Sequence, residues 1–296
     1  MGNEAGVNTL DQSCNSIAIT STGSDCGWYL YGVTRRSKPG ERWELEESGL
    51  DGKPVQMLPN GNLVAIVSPM PVDELGIEAL RTRIQNATSA HGWLEQIVRA
   101  HERVVEAVQR ARGILPAKFG CVYATVEDLK TALEHDRDTL LARLKQLKGC
   151  DEWGVKLFAD LLAIRRIASE ENPMARQLRQ ELAIARPGRA YFLQRKLAEV
   201  LDAATDQHVD DLAQACYDHL ARSVGTGQMT PPSKTPGTSM PEVEIMRAAF
   251  LVPRVGVDVF VKEIHRFAES RDGLRCEYSG PWPPYSFVAL VGEAPL

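Results

Sequence analysis

The stretch MRAAFLVPRVGVDVFVKEIHRFAESRDGLRCEY, residues 246–278, decides the fold of the second half of the chain. Met246–Val252 reads as a strand. Val257, Phe260, Val261, Ile264 and Phe267 then fall at three- and four-residue spacing and mark a helix with one apolar stripe. Leu274–Tyr278 reads as a further strand. Working back towards the N-terminus, Pro187-Gly188 interrupts a long helical region whose second part carries Leu193, Leu197, Val200, Leu201, Ala204 and Leu212 on one face. Before it, Trp153-Gly-Val-Lys-Leu-Phe158 reads as a strand. The order β-α-β-α-β resembles a ferredoxin-like sandwich. Residues 225–241 are a cluster of Gly, Pro, Ser and Thr, too long for a tight connection, and read as a flexible loop.

The first half carries different signals. Residues 1–27 have low hydrophobicity and no periodicity, and are expected to form a disordered tail. Trp28-Tyr-Leu-Tyr-Gly-Val33 is a β-branched and aromatic run that reads as a strand. A short strand is expected near Trp43–Glu47. Leu63-Val-Ala-Ile-Val-Ser68 is a continuous apolar run suited to a strand buried on both faces. Leu94, Ile97, Val98, His101, Val104, Val105 and Val108 make one helical stripe, stopped by Gly113. Ile114 to Tyr123 reads as extended, because Pro116 restricts Leu115. Thr125 and Asp128 form a near capping box for a helix striped by Val126, Leu129, Leu133, Leu140, Leu144 and Leu147, which Gly149 ends. The fold class is therefore α+β in two domains: tail 1–27, an N-terminal α+β domain 28–149, and a ferredoxin-like C-terminal domain 150–296.

Composition narrows the function. At 296 residues the chain is about twice the ~150-residue domain prior. The net charge of -5, with basic and acidic residues interspersed, argues against a nucleic-acid or anionic-membrane surface. Met1-Gly2 is followed by Gly at position 6, which does not suit myristoylation. The apolar run Leu63 to Val72 is broken by Ser68, Pro69 and Pro71, so no segment reads as a bilayer span. The six cysteines, Cys14, Cys26, Cys121, Cys150, Cys216 and Cys276, are scattered without a zinc-ligand spacing and are expected to be reduced thiols.

Catalytic constellations are weak. His101 lies on an apolar stripe, as a core histidine does. A Cys121–His101 nucleophile–base pair lacks an orienting third group in the sequence. Glu152 and Lys156 read as a surface charge pair on a strand. Glu170-Glu171 and the series Asp202, Asp206, Asp210 read as solvated helix faces. No metal or cofactor site is expected, and Gly225-Thr-Gly227 lacks the context of a phosphate loop.

The least generic segment is Ser279-Gly-Pro-Trp-Pro-Pro-Tyr-Ser-Phe-Val288. Pro281, Pro283 and Pro284 fix their own φ and favour extended geometry before them. Polyproline geometry would put Trp282 and Tyr285 on one face. Two readings follow: a lid whose aromatic rings are buried over the core, or a preformed docking surface comprising Gly280, Pro281, Trp282, Pro283, Pro284, Tyr285, Ser286 and Phe287. Three missing N–H groups make the segment an edge or a cover.

This ending closely resembles that of the GvpL/GvpF family of gas vesicle proteins. The resemblance runs in order through Trp28–Val33, His101-Glu102, Leu115-Pro116, Phe119-Gly120, Glu152–Lys156, Gly188-Arg189 and Tyr191. It departs from the family pattern at Ala117-Lys118, and the tail 1–27 and loop 225–241 match nothing in it. What the resemblance implies is a non-enzymatic, cytoplasmic accessory protein of gas-vesicle assembly, built of two α+β domains. It implies partners among the small hydrophobic shell protein and other accessory proteins, with no small-molecule substrate, nucleic acid or membrane. Strand addition to an exposed edge near Tyr285–Val291 is the expected binding mode. The alternative is a small-ligand sensor or latent enzyme on the ferredoxin-like domain.

Overall fold

The computed structural model describes residues 26–36, 45–71, 90–233 and 242–288. Of the expected tail, residues 1–25 lie outside them, as do Trp43 and residues 234–241 and 289–296. Two compact units emerge. One contains the described residues up to Lys148 together with those from Pro283 onward; the other is Gly149–Trp282. Both are mixed α/β with antiparallel sheets.

In the first unit, β1 (Cys26–Arg35) begins inside the expected tail. It lies between β3 (Leu63–Pro71) and the short β4 (Leu115–Pro116), with β2 (Gln56–Asn60) outside β3 and β5 (Val122–Tyr123) also pairing with β1. Every residue of Leu63–Ser68 is buried, because this strand is covered on both faces. Gly32 is required in β1: a Cβ there would stand 2.4 Å from the Leu115 carbonyl oxygen. Helix α1 (Ala90–Arg112) packs Ile97, Val104, Val105 and Val108 onto the sheet. Residues 45–49 are irregular, so the strand expected near Trp43–Glu47 does not form in its described part.

Thr125 caps α2 (Val126–His135) as the capping box requires, accepting from the Asp128 N–H at 3.0 Å. The single helix expected up to Gly149 is divided. Asp136 adopts φ -99 and ψ 8, ending α2 and starting α3 (Arg137–Gln146). The leucine stripe survives the break, since Leu129, Leu133, Leu140, Leu144 and Leu147 are all buried.

The second unit is built on β6 (Cys150–Asp160), in which buried and half-buried residues alternate at the two-residue strand period. Asp160 caps α4 (Leu161–Glu171), Asn172 caps α5 (Pro173–Ala183), and Pro187 occupies the first turn of α6 (Pro187–Val224). Four further elements complete the unit: β7 (Gly227–Thr230), β8 (Glu242–Pro253), α7 (Val257–Glu269) and β9 (Leu274–Trp282). The sheet order is β7-β8-β6-β9, and every pairing is antiparallel. Strand β7 corrects the reading of 225–241 as loop. Its residues pair with Arg247–Phe250, and the Tyr217 hydroxyl donates to the Gly227 carbonyl at 2.8 Å. The ladder and this hydrogen bond override the Gly-rich composition. Phe250, Phe260, Ile264, Phe267, Cys216 and Leu220 fill the space between the sheet and α6 and α7.

Among the described residues no helix is long and apolar enough to cross a membrane. Cys26 is disulfide-bonded, which corrects the expectation that all six cysteines are reduced.

Candidate functional site

The signature segment is shared between the two units. Gly280, Pro281 and Trp282 end β9 in the second; Pro283 to Val288 belong to the first. This changes the assignment of the chain's last part, which the sequence reading placed wholly in the C-terminal domain. Gly280 has φ +141, and a Cβ there would meet the Glu152 carbonyl oxygen at 2.9 Å and the Trp153 ring at 3.0 Å. Glycine is therefore needed where the chain passes close to β6. Beyond it, Pro283 and Pro284 are buried, and Tyr285, Ser286 and Phe287 form one 3-10 turn. The turn is closed by the Tyr285 N–H donating to the Pro283 carbonyl and the Phe287 N–H to that of Pro284. No strand begins at Tyr285, so the expected docking edge there is corrected; residues 289–291 of it lie outside the described residues. The turn also ends the extended run before Trp282 and Tyr285 can line one polyproline face.

In the first unit the separate resemblance blocks converge. The Tyr29 hydroxyl lies 2.8 Å from His101 Nδ1 and accepts from the Gly120 N–H at 3.3 Å. Around the imidazole stand the rings of Tyr29, Tyr31, Phe119 and Tyr285, with centroids 5.7 to 6.4 Å away. Tyr31 donates to Ser68 Oγ and accepts from the Leu50 N–H. The Tyr29 hydroxyl donates to Nδ1 when the ring proton sits on Nε2 and accepts from it when the proton sits on Nδ1. That Nε2 has no hydrogen-bond partner among the described residues. His101 is 3% exposed, and burial lowers its pKa to about 4, so the ring is neutral at pH 7.

This arrangement does not activate a nucleophile. His101 Nδ1 is engaged with Tyr29, and burial pushes the Cys121 thiol up to about 11, which keeps it protonated near neutrality. Tyr123 rather than His101 hydrogen-bonds that sulfur. Among the described residues, no cluster of three or more His, Cys, Asp or Glu is placed to hold a metal ion. Asp202, read as a solvated helix face, pairs with Arg165.

In the second unit the exposed chemistry lies on β9, an end strand of the sheet. Leu274, Cys276 and Tyr278 lie opposite the buried Ala159, Leu157 and Val155 of β6, on the helix-covered face. Tyr278 nonetheless remains 41% exposed, contacting Trp153 and His265 edge- or tilt-wise. Trp282 is 44% exposed, its indole N–H donating to Ser279 Oγ at 3.2 Å. The reading of Trp282 as a buried lid is thereby corrected: at the last position of an end strand, its ring has too few neighbours to be enclosed. The sequence reading singles out Tyr191 only through the family resemblance, and does not foretell its exposed ring beside that of Phe192 on α6 or the exposed Ile184 before it. Their signal was present, since they flank the Leu193 stripe that faces inward.

The sequence profile of the family described as "Gas vesicle synthesis protein GvpL/GvpF" matches residues 27–289. The chain belongs to this family. Among its relatives, gas vesicle protein L of Streptomyces sp. (strain CB03234) is 30% identical over 266 residues, covering 90% of this chain and 94% of that one. Gas vesicle protein L2 of Halobacterium salinarum is 24% identical over 271 residues, covering 88% and 91%. The fold is similar to the crystal structure of the gas vesicle protein GvpF from Anabaena sp. PCC7120. The TM-score is 0.67 at 21% identity, over 88% of this chain and 97% of that chain. The family match spans the aromatic cluster around His101, both sheets except Cys26 at the start of β1, and the whole signature segment.

Proposed function

We propose that this protein is a non-enzymatic accessory factor of gas-vesicle assembly. It works in the cytoplasm and binds the small hydrophobic shell protein, other accessory proteins, or both. Membership of the gas vesicle synthesis family supports the role. The observation that carries the mechanism is the outer edge of β9, where Tyr278 and Trp282 are exposed beside backbone that no further strand pairs among the described residues. Strand addition suits an extended apolar client: main-chain hydrogen bonds supply affinity and the two rings supply apolar contact. Arg275, Glu277 and Pro281 on the same strand guard it against indiscriminate pairing. We also read the second unit as a modified ferredoxin-like sandwich, on its β-α-β-β-α-β order with a multi-helix first crossover.

Pull-down from cells co-expressing the tagged full chain with the small shell protein tests the site. Trp282→Ala should lose most of the captured shell protein while costing only about 1 kcal/mol of stability, because the ring is half outside. Undiminished capture would remove Trp282 from the site. Capture by neither chain would shift the client to another accessory protein.

A small-ligand reading has one observation in its favour. A cavity of about 510 Å³ lies among α4, α5 and α6, lined by Glu171, Asn172, Gln207, His208 and Asp211 among others. Glu171 and Asp211 are exposed, so a ligand there would compete with water for solvated groups. The open strand edge is the better supported site.

A further inference from the structure

Cys216 and Cys276 stand on different elements of the second unit and meet in its core. Cys216 lies on the face of α6 that packs, with Ala213 and Leu220, against the sheet; it is wholly buried. Cys276 lies on β9 opposite Leu157, on the same face of the sheet, and packs against that core while staying partly accessible. The Cys216 and Cys276 thiols hydrogen-bond to one another. Neither cysteine is in a disulfide. We propose that this pair is a redox-responsive modification site: a hydroperoxide converts it to a reversible disulfide, with Cys276 as the attacking thiol and Cys216 as the resolving one.

The asymmetry of the two environments assigns the roles. Donation from Cys216, helped by the nearby Arg275 guanidinium, stabilises the Cys276 thiolate and holds its pKa below the ordinary thiol value. The same hydrogen bond and burial hold Cys216 protonated. A reactive, accessible thiolate beside a buried thiol is the arrangement found in two-cysteine redox sensors. In the first step the Cys276 sulfur attacks the peroxide oxygen. An S–O bond forms, the O–O bond breaks, and the departing alkoxide or hydroxide takes a proton. In the second step the Cys216 sulfur attacks Cys276, expelling hydroxide, which leaves as water with the Cys216 proton. Two thiols lose two electrons in total, and the hydroperoxide becomes one alcohol (or water) and one water. Thiol–disulfide exchange with a reduced dithiol reverses the change.

The disulfide would fasten the C-terminal half of α6 to the end strand that carries Tyr278 and Trp282. Oxidation would therefore restrain β9 and raise the unfolding midpoint of the second unit. The inference stands on the thiol pair and does not depend on β9 being a docking edge.

The test treats the full wild-type chain with a small excess of hydrogen peroxide, then alkylates remaining thiols and maps peptides by mass spectrometry. A Cys216–Cys276 linked peptide should appear at least ten-fold faster than Cys121 is oxidised, and dithiothreitol should remove it. Cys121 is an internal control, because burial keeps it protonated. In Cys216→Ser, dimedone should trap a sulfenic acid on Cys276; in Cys276→Ser, Cys216 should stay reduced. A wild-type chain that forms no linked peptide, or oxidises all three thiols at one rate, overturns the proposal. Dimedone labelling of Cys216 rather than Cys276 in the single variants overturns the assignment of roles.

Discussion

Tyr29→Ala should lower the unfolding free energy of the first unit by about 4 to 6 kcal/mol, and Tyr29→Phe by about 1 to 3. The ring is 1% exposed and sits in edge-on contact with Tyr31, His101 and Phe119, at centroid distances of 5.0, 5.7 and 6.4 Å. Truncation opens a cavity bounded by β1, α1 and the segment at Phe119, whose backbone ties leave little room for collapse. It also strips His101 Nδ1 of its hydrogen-bond partner and the Gly120 N–H of its acceptor. Phenylalanine keeps the packing and removes only the two hydrogen bonds, so the difference between the variants separates cavity from polar loss. Urea unfolding with hydrogen exchange at Leu30 and Val33 would read the first unit specifically. An alanine variant costing under about 1 kcal/mol would show that this cluster is not where the unit's stability is concentrated.

How much of the fold is legible in the sequence depends on how local the determining forces are. The strand Leu63–Ser68 is legible because an unbroken apolar run marks a strand covered on both faces, and the helix from Val257 because its three- and four-residue spacing gives its buried face. The Thr125 cap was legible because a capping box is closed within one turn. Strand β7 was not, since Gly227-Gln-Met-Thr230 has strand character only through its ladder to β8. The break at Asp136 was hidden for a similar reason: both helices keep the leucine stripe in phase across it. The signature segment was legible as special but not in its role. Proline content forecasts stiffness, yet the placement of Pro283 onward in the first unit depends on His101 and its aromatic neighbours, far away in sequence. The Cys216–Cys276 contact depends in the same way on how α6 lies over the sheet, which no spacing of the six cysteines reveals.

The second large effect concerns pH. His101 is neutral in the folded protein because burial disfavours its charged form, which lowers its pKa from 6.5 to about 4. Between those values the unfolded chain binds a proton that the folded chain does not. The stabilisation is therefore complete above pH 6.5 and is lost as pH falls towards 4. From pH 7 to pH 5 the loss is about 2 kcal/mol for this group. Tyr29 and Tyr31, packed against the imidazole, do not blur this window: burial holds both above their ordinary values, far from it. The measurement is the difference in urea-unfolding free energy between pH 7 and pH 5, taken for wild type and for His101→Leu. Carboxylates and the other histidines titrate alike in both chains, so they cancel in that comparison. The leucine chain should start less stable, because the buried Tyr29 hydroxyl loses its hydrogen-bond partner on His101, and should then lose about 2 kcal/mol less on acidification. Equal slopes would mean that the imidazole is solvated in the folded state. The aromatic ring of neighbours, Tyr285 of the signature turn included, would then be too loose to hold water out.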